Sequence, residues 1–244
     1  MSTEQPELSV CAPAYNECEG IEKVVRSWAA MAPSFGHSME FVVTNDGSTD
    51  GTGEILDRLA KEIPLLRVVH LPKNGGYGRA LGAAIAASRG RYVATIDSDG
   101  QFDLADAKRL LERATRDGAD LVSGFRTAKK DSFLRVFANR AQNGLVAFLC
   151  GARFQDANCA LKVAVGERIR GMKLEATGYP LPTEICVRFA ARGHRIVEEP
   201  VAHREREAGQ SKLRFLRTSW RMFVFMLYLR KRIRLYRGGY LQDV

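Results

Sequence analysis

The sequence lacks the features that mark several large classes of protein. Its five cysteines leave an odd one over and form no Cys-x-x-Cys pair, and its four histidines lack the spacing of a zinc site. Reduced thiols in a cytosolic protein are expected, and a disulfide framework is not. Residues 1–7 are polar, so we expect no secretory leader. The apolar run at 220–229 is about half of the roughly 20 residues that a membrane-spanning helix needs.

Three motifs of nucleotide-binding and hydrolytic enzymes are also missing. Gly75-Gly-Tyr-Gly78 follows a predicted strand and opens a predicted helix, but the third glycine of a dinucleotide fingerprint would fall on Leu81. The chain has no Gly-x-x-x-x-Gly-Lys-Ser/Thr loop and no Gly-x-Ser-x-Gly elbow. Dinucleotide, P-loop and simple hydrolase interpretations are therefore disfavoured.

What is present is a regular alternation of strand and helix over the first half of the chain. A length of 244 residues with 45% hydrophobic residues suits one α/β domain. The alternation predicts a mostly parallel sheet, flanked by helices, with right-handed crossovers. Strands are predicted at 8–14, 39–44, 66–71, 91–96 and 120–125, and helices at 19–31, 51–62, 76–88 and 103–116. Beyond residue 126 the rhythm breaks, and the pattern predicts helices at 133–149 and 183–192 and a strand at 195–201.

Acidic residues follow two of these strands. Asp97 and Asp99 leave the strand that ends near Ile96, and Gln101 adds an amide oxygen. A second acidic turn, Asn45-Asp-Gly-Ser-Thr-Asp50, follows the strand at 39–44. Open α/β sheets bind ligands at the carboxyl ends of their strands, and magnesium takes one or two carboxylates together with substrate phosphates. This pattern suits a nucleoside diphosphate held by a metal ion, although acidic residues at strand ends also serve as helix caps.

The positive charge lies almost entirely near the C-terminal end. Between His203 and Arg237, eleven lysines and arginines stand against two glutamates, which accounts for the whole net charge of +9. Such a segment suggests an anionic partner, either nucleic acid or a phospholipid surface. It contains the apolar and aromatic run Trp220 to Leu229. This run favours a helix at a membrane interface or on a partner, with packing on the protein's own core as the alternative.

Four motifs in the first half resemble one enzyme family. Val10-Cys-Ala-Pro-Ala-Tyr-Asn-Glu17, the acidic turn continued to Thr52, Lys73-Asn-Gly-Gly-Tyr-Gly-Arg-Ala80 and Asp97-Ser-Asp-Gly-Gln101 occur in this order. They are similar to the nucleotide-sugar domain of family 2 inverting glycosyltransferases, which implies the GT-A fold.

Later motifs resemble the branch that contains dolichol-phosphate mannosyltransferase and the polyprenyl-phosphate glycosyltransferases. Ser123-Gly-Phe-Arg126 is followed fourteen residues on by Arg140, and Asp156-Ala-Asn-Cys-Ala160 stands where the branch has Asp-x-x-Ser-Gly. Arg206-Glu-Ala-Gly-Gln-Ser-Lys212 matches its Arg-x-x-Gly-x-Ser-Lys. The sequence departs from the branch at Ala160 and within Asp97-Ser-Asp-Gly-Gln-Phe-Asp103. The transferred sugar therefore stays undecided.

The resemblance implies a role for each matching residue. The nucleotide would be bound by Pro13, Ala14, Tyr15, Glu17, Asp46, Lys73, Gly78, Asp97 and Ser98, with Asp46 accepting from the base. Mg²⁺ or Mn²⁺ would be held by Asp97, Asp99 and Gln101, and would act as a Lewis acid on the departing diphosphate. The acceptor phosphate would be bound by Arg126, Arg140, Arg206, Ser211 and Lys212. The residues expected to be essential for catalysis are Asp97, Asp99, Arg126, Arg140, Arg206 and Lys212.

The implied reaction is transfer of a hexose from GDP-mannose or a UDP-sugar to a polyprenyl or dolichyl phosphate. A phosphate monoester carries a charge of about −1.5 to −2 at neutral pH, so it suits a cationic site and needs no general base. Two alternatives stay open. A sugar or lipid hydroxyl acceptor would need a base, for which Glu184 is the candidate. A non-catalytic nucleic-acid-binding protein is the other, although the resemblance implies no nucleic-acid partner.

The expected organisation is a GT-A catalytic domain at 1–211 and a basic amphipathic helix at 212–244. The nucleotide-sugar half would cover about 8–125 and the acceptor half about 126–211. Since no membrane-spanning segment is predicted, the protein would be peripheral on the cytoplasmic face of an anionic membrane. A membrane-anchoring subunit is a further partner that is compatible with this arrangement.

Overall fold

A computed structural model of the chain describes residues 5–127, 133–204 and 215–244; the side chains of 133–141 and 215–219 are not described. The strands are β1 (Leu8–Ala14), β2 (Met39–Asn45), β3 (Leu66–His70), β4 (Tyr92–Thr95), β5 (Leu121–Arg126), β6 (Lys162–Val165) and β7 (Ile196–Val201). The α-helices are α1 (Ile21–Met31), α2 (Thr52–Glu62), α3 (Tyr77–Ala87), α4 (Leu104–Asp117), α5 (Phe133–Cys150), α6 (Gly166–Arg170), α7 (Leu181–Ala191) and α8 (Phe215–Arg237). A short 3-10 helix, Ala32–Phe35, follows α1.

The strands form one seven-stranded sheet in the order β3-β2-β1-β4-β6-β5-β7. Six strands are parallel, and β6 alone runs antiparallel to its neighbours β4 and β5. The predicted strands and helices of the first half all occur, with ends that differ by at most two residues. The mostly parallel sheet flanked by helices is therefore confirmed.

The sequence pattern missed β6, which is only four residues long and contains a lysine. Its register aligns Lys162 with Thr95 of β4 and with Ser123 of β5. Because β6 is antiparallel, the residues that precede it lie at the same edge of the sheet as the residues that follow β4 and β5. The segment 156–161 therefore reaches that edge between the acidic turn and Arg126.

The sheet is covered on both faces, and alternate residues of β1 divide between the two layers. Val10 and Ala12 pack in the layer with α1, α2 and α4, whereas Cys11 packs in the layer with α3, α6 and α7. This alternation follows from the two-residue period of a strand. Burial on both faces explains why the parallel strands appear in the sequence as continuous apolar runs.

The C-terminal helix α8 forms a third cluster with α5 and α7. Met222, Met226, Leu229 and Ile233 are buried in it, against side chains that include Val146 and Val187. Within the described residues, no helix combines the length and hydropathy required to cross a bilayer. One face of α8 is thus part of the protein's own core.

Candidate active site

The loops after β1 and β2 are held together by side chains that bond to the backbone of the other loop. Backbone N–H groups of Asn16, Glu17 and Cys18 donate to Ser48 Oγ, Thr52 Oγ1 and Asp50 Oδ2 at 3.0, 2.9 and 3.1 Å. In return, the Asn16 side chain accepts from Thr49 N. Asn16 has a φ of 51°, a left-handed conformation that asparagine tolerates better than most residues. These bonds position Tyr15 and Glu17, which lie half-buried in the first loop.

Asp46 connects these loops to the glycine-rich loop that precedes α3. Its buried carboxylate accepts from Gly75 N at 2.7 Å, Gly76 N at 2.9 Å and Asn74 Nδ2 at 3.0 Å. Its own N–H donates to the Ala14 carbonyl at 2.9 Å. Asp46 therefore organises the glycine-rich loop, a role that the sequence motif did not predict. Its predicted bond to a nucleotide base stays a prediction.

The first turn of α3 packs closely against the loop that precedes α7. Gly78 N donates to the Thr177 carbonyl at 3.0 Å, and a side chain at Gly78 would lie 2.1 Å from the Ala176 carbonyl oxygen. Helix N-termini often bind phosphate through such N–H groups. Here the Gly78 N–H is bonded within the protein, which gives this glycine a packing role. Its predicted nucleotide contact stays a prediction. Lys73 lies exposed on the same glycine-rich loop.

The acidic turn after β4 lies directly beside the end of β1. Ser98 is buried, and its hydroxyl donates to the Pro13 carbonyl at 2.6 Å. Asp99 Oδ1 accepts from Gln101 N at 3.1 Å, and Gln101 Nε2 donates to the Arg204 carbonyl at 3.0 Å. The structure therefore brings Pro13, Ala14, Asp46 and residues 97–101 to one edge of the sheet, as the sequence predicted.

Asp97 has a partner that the sequence analysis missed. The Tyr77 hydroxyl donates to Asp97 Oδ1 at 2.9 Å. Burial of the phenol, together with the negative charge of Asp97, raises the pKa of Tyr77 well above its ordinary value, so the hydroxyl keeps its proton and donates. The Tyr77 ring stacks on Tyr179, with centroids 5.5 Å apart and planes 19° apart. The Gly-Gly-Tyr-Gly motif contained this residue, but nothing in its spacing indicated the carboxylate.

The side chains present fit a hard divalent cation only if the substrate supplies further ligands. In the described ranges, no cluster of three or more His, Cys, Asp or Glu residues could hold a metal ion. The half-buried carboxylates of Asp97 and Asp99 are oxygen donors of the kind that magnesium takes alongside phosphate oxygens and water. The donor set thus suits a cation that arrives with a diphosphate.

Farther along the same sheet edge, at the end of β5, an arginine side chain pairs with a buried carboxylate. Arg126, at the end of β5, donates from Nε and Nη2 to the two oxygens of Asp156 at 2.7 and 3.1 Å. Asp156 is 2% exposed and the Arg126 side chain is 30% exposed. Since β6 lies between β4 and β5, Arg126 and the acidic turn are separated by two strand spacings, roughly 10 Å.

Two buried polar side chains fix the turn that contains Asp156. Asn143 of α5 donates from Nδ2 to the Gln155 carbonyl at 2.5 Å and accepts from Ala157 N at 3.2 Å. Lys162 is 1% exposed and donates from Nζ to Ser123 Oγ at 2.8 Å and to the Ala157 carbonyl at 3.2 Å. Sequence reasoning missed both residues. A lysine inside an otherwise apolar strand was the available signal, because buried charges need partners.

Glu184 does not suit the role of general base. It is fully buried, and its carboxylate accepts from the backbone N–H groups of Glu175 and Ala176 and from Arg188 Nε. Burial raises the pKa of Glu184, although Arg188 opposes this. The carboxylate is occupied in anchoring the loop before α7.

The other predicted acceptor residues fall largely outside the described part. Arg140 lies in α5, three residues before Asn143, and its side chain is not described. Arg206, Ser211 and Lys212 are not described at all. Their predicted contacts with an acceptor phosphate stay predictions.

A mostly parallel sheet with two acidic turns and a closed glycine-rich loop at its carboxyl edge defines a GT-A glycosyltransferase fold. The chain belongs to glycosyl transferase family 2, whose model matches residues 9–167. The fold and the family predicted from the sequence are therefore confirmed.

Two curated relatives are named for polyprenyl-phosphate sugar chemistry. Dodecaprenyl-phosphate galacturonate synthase of Rhizobium johnstonii is 33% identical over 214 residues, covering 87% of this chain and 63% of the relative. Undecaprenyl-phosphate 4-deoxy-4-formamido-L-arabinose transferase of Edwardsiella ictaluri is 34% identical over 207 residues, covering 84% and 62%. The chain thus spans less than two thirds of the length of either relative.

A solved structure shares the fold. Glucosyl-3-phosphoglycerate synthase from Mycobacterium tuberculosis, in complex with Mn²⁺, UDP-glucose and phosphoglyceric acid, superposes with a TM-score of 0.67 and 26% identity. The match covers 92% of this chain and 79% of that one.

Proposed function

We propose that this protein is an inverting glycosyltransferase that moves a hexose from a nucleoside diphosphate sugar to a polyprenyl phosphate, with Mg²⁺ or Mn²⁺ as cofactor. The observation that carries the proposal is the shared sheet edge, where Asp97 and Asp99 follow β4 and the Arg126–Asp156 pair lies at the end of β5. Membership of family 2 and the names of the two curated relatives support it.

On the donor side, the protein's residues bind and orient the nucleotide. The loop that contains Tyr15 and Glu17, together with Asp46 and Ser98, would surround the nucleoside. Asp97 and Asp99, with the Gln101 amide oxygen, would hold the cation. A bound divalent cation screens the charge that builds on the departing diphosphate. GDP and UDP are both open as the nucleotide.

On the acceptor side, Arg126 would hold the lipid phosphate in position. The two bonds to Asp156 use the Nε–Nη2 edge of the guanidinium and therefore fix its plane. A phosphate oxygen is already anionic, so attack on the anomeric carbon requires positioning and no proton removal. Arg140, Arg206, Ser211 and Lys212 complete the proposed site.

The exposed face of α8 suits the surface of an anionic membrane. At 100° per residue, Trp220, Val224 and Leu227 lie on one face with Lys231 and Arg234, opposite the buried methionines. The three apolar side chains are 66, 47 and 43% exposed. Apolar burial and attraction to acidic headgroups would together hold a peripheral enzyme at its lipid substrate.

Product analysis with three acceptors tests the proposal. The protein is incubated with Mn²⁺ and radiolabelled GDP-mannose, UDP-glucose or UDP-N-acetylglucosamine, each with undecaprenyl phosphate, undecaprenol or 3-phosphoglycerate. We expect labelled lipid only with undecaprenyl phosphate, and no product when EDTA is present. Product on undecaprenol would favour a hydroxyl acceptor, and product on 3-phosphoglycerate would favour a soluble acceptor. No product with any donor, together with no metal-dependent nucleotide binding, would contradict the proposal.

A further inference from the structure

One hydrogen bond joins the glycine-rich loop to the carboxylate that follows β4. Tyr77 is the first residue of α3, and its hydroxyl donates to Asp97 Oδ1 at 2.9 Å. The terminal torsion of an aspartate side chain is broad, so a carboxylate without support samples many orientations. The bond from Tyr77 to Oδ1 restricts the rotation of this carboxylate and so narrows the directions of its lone pairs.

The Tyr77 ring and the backbone beside it both contact one neighbouring loop. Tyr179 stacks on it nearly parallel, and the Thr177 carbonyl accepts from the backbone N–H of Gly78, the next residue along α3. Both contacts come from the loop between α6 and α7, which Glu184 anchors through the N–H groups of Glu175 and Ala176. The phenol therefore reaches Asp97 from a rigid support.

We infer that Tyr77 is a positioning residue for the metal and nucleotide site, because its hydroxyl orients the Asp97 carboxylate. The inference rests on the proposed function, in which Asp97 takes part in holding a divalent cation with the donor diphosphate. Tyr77 does not contact the transferred sugar in this scheme; it acts through Asp97. Side chains that orient metal-binding carboxylates typically change metal affinity or activity by about 10–100-fold when they are replaced.

The test variant is Tyr77→Phe, which keeps the ring and its stacking on Tyr179 and removes only the hydroxyl. Calorimetry on the full chain measures binding of UDP and of GDP with and without Mn²⁺, and Mn²⁺ electron paramagnetic resonance measures the bound metal directly. We expect the Mn²⁺-dependent part of nucleotide affinity to fall about tenfold. Nucleotide binding in EDTA and the melting temperature should stay close to wild type.

Tyr228→Phe is a matched control, since it also removes a hydroxyl that donates to a carboxylate, Glu175 Oε1, at 2.9 Å. It should leave metal-dependent binding unchanged. In the background of Asp97→Asn, Tyr77→Phe should have little further effect, because the two residues act as one unit.

The outcomes separate the two proposals. If the wild type shows no metal-dependent nucleotide binding, the proposed function fails. If the wild type binds and Tyr77→Phe binds Mn²⁺ and nucleotide equally well, the positioning role of Tyr77 is overturned and the function stands. Additive losses in the double variant would also overturn it.

Discussion

The proposed donor side and the proposed acceptor side of the sheet edge are stabilised by different interactions. On the donor side, short polar side chains bond to the backbone of neighbouring loops, as Asp46 does to Gly75 and Gly76. On the acceptor side, a partly exposed arginine pairs with a buried carboxylate, as Arg126 does with Asp156. Both sets of bonds join residues about 30 positions apart, but the donor-side carboxylate bonds to backbone N–H groups, whereas the acceptor-side carboxylate bonds to a charged side chain. Substitutions should therefore separate donor binding from acceptor use.

The largest expected effect is on the donor side. Asp99→Asn removes one of the two carboxylates that are proposed to hold the metal ion with the diphosphate. Replacing a residue that only supports a metal ligand typically costs about 10–100-fold, so we expect loss of a ligand to lower turnover at least about 100-fold. Labelled-product assays at saturating acceptor measure it. Asp117→Asn, which alters a carboxylate paired with Arg113 at the other end of α4, is the control. Turnover close to wild type with chelator present would rule out the metal mechanism.

The next largest effect is on membrane binding by α8, which should not depend on either half of the sheet edge. Lys231→Ala with Arg234→Ala should weaken sedimentation with anionic vesicles by about 30-fold, since each cation contributes about 1 kcal/mol at such a surface. Trp220→Ala should weaken binding without changing its dependence on salt.

Arg232 lies in the same basic segment of α8 but is engaged within the protein. Arg232 donates to the Asp243 carbonyl and lies 3.7 Å from Glu175, so substitutions should spare it. Lys61→Ala with Arg91→Ala, which removes two exposed cations elsewhere, is the matched control. Equal vesicle binding by the α8 variant and this control would show that α8 faces a different partner.

A smaller effect is expected on use of the acceptor, with donor binding unchanged. Arg126→Lys loses the planar pair of bonds to Asp156 and the orientation of the guanidinium. We expect kcat/KM for polyprenyl phosphate to fall about tenfold, which corresponds to one charge-assisted hydrogen bond of roughly 1.5 kcal/mol. Calorimetry should show unchanged nucleotide binding, and Arg113→Lys should change neither quantity. An equal loss of donor affinity would place Arg126 on the nucleotide side and break the comparison.

The smallest effect concerns the pH dependence of the donor loops. Although partial burial raises it, hydrogen bonds from Thr52 and Cys18 hold the pKa of Asp50 at about 2. Because this pKa lies below the unfolded value of about 3.9, the stabilisation is present above pH 4 and is lost as the pH falls towards 2. Denaturation midpoints at pH 5 and pH 2.5 should therefore differ less in Asp50→Asn than in wild type. Glu54→Gln, an exposed carboxylate on α2, is the control, and an unchanged difference in Asp50→Asn would contradict the assignment.

The sequence by itself determined the donor half, because its signals are local. Apolar runs predict β1 to β5, and the acidic turns after β2 and β4 must meet because parallel strands end at the same edge. The family followed from motifs within that half, and the matched residues 9–167 contain all of them.

Only the tertiary structure decided how the acceptor half is built. The four-residue strand β6 lies between β4 and β5, and its antiparallel direction brings Asp156 to Arg126 across 30 residues of sequence. The partners of Tyr77, Glu184 and Lys162, and the helices against which α8 packs, were equally absent from the pattern. The physical reason is that a buried polar group is satisfied by whichever groups the packed chain brings to it, and sequence spacing does not record those pairings.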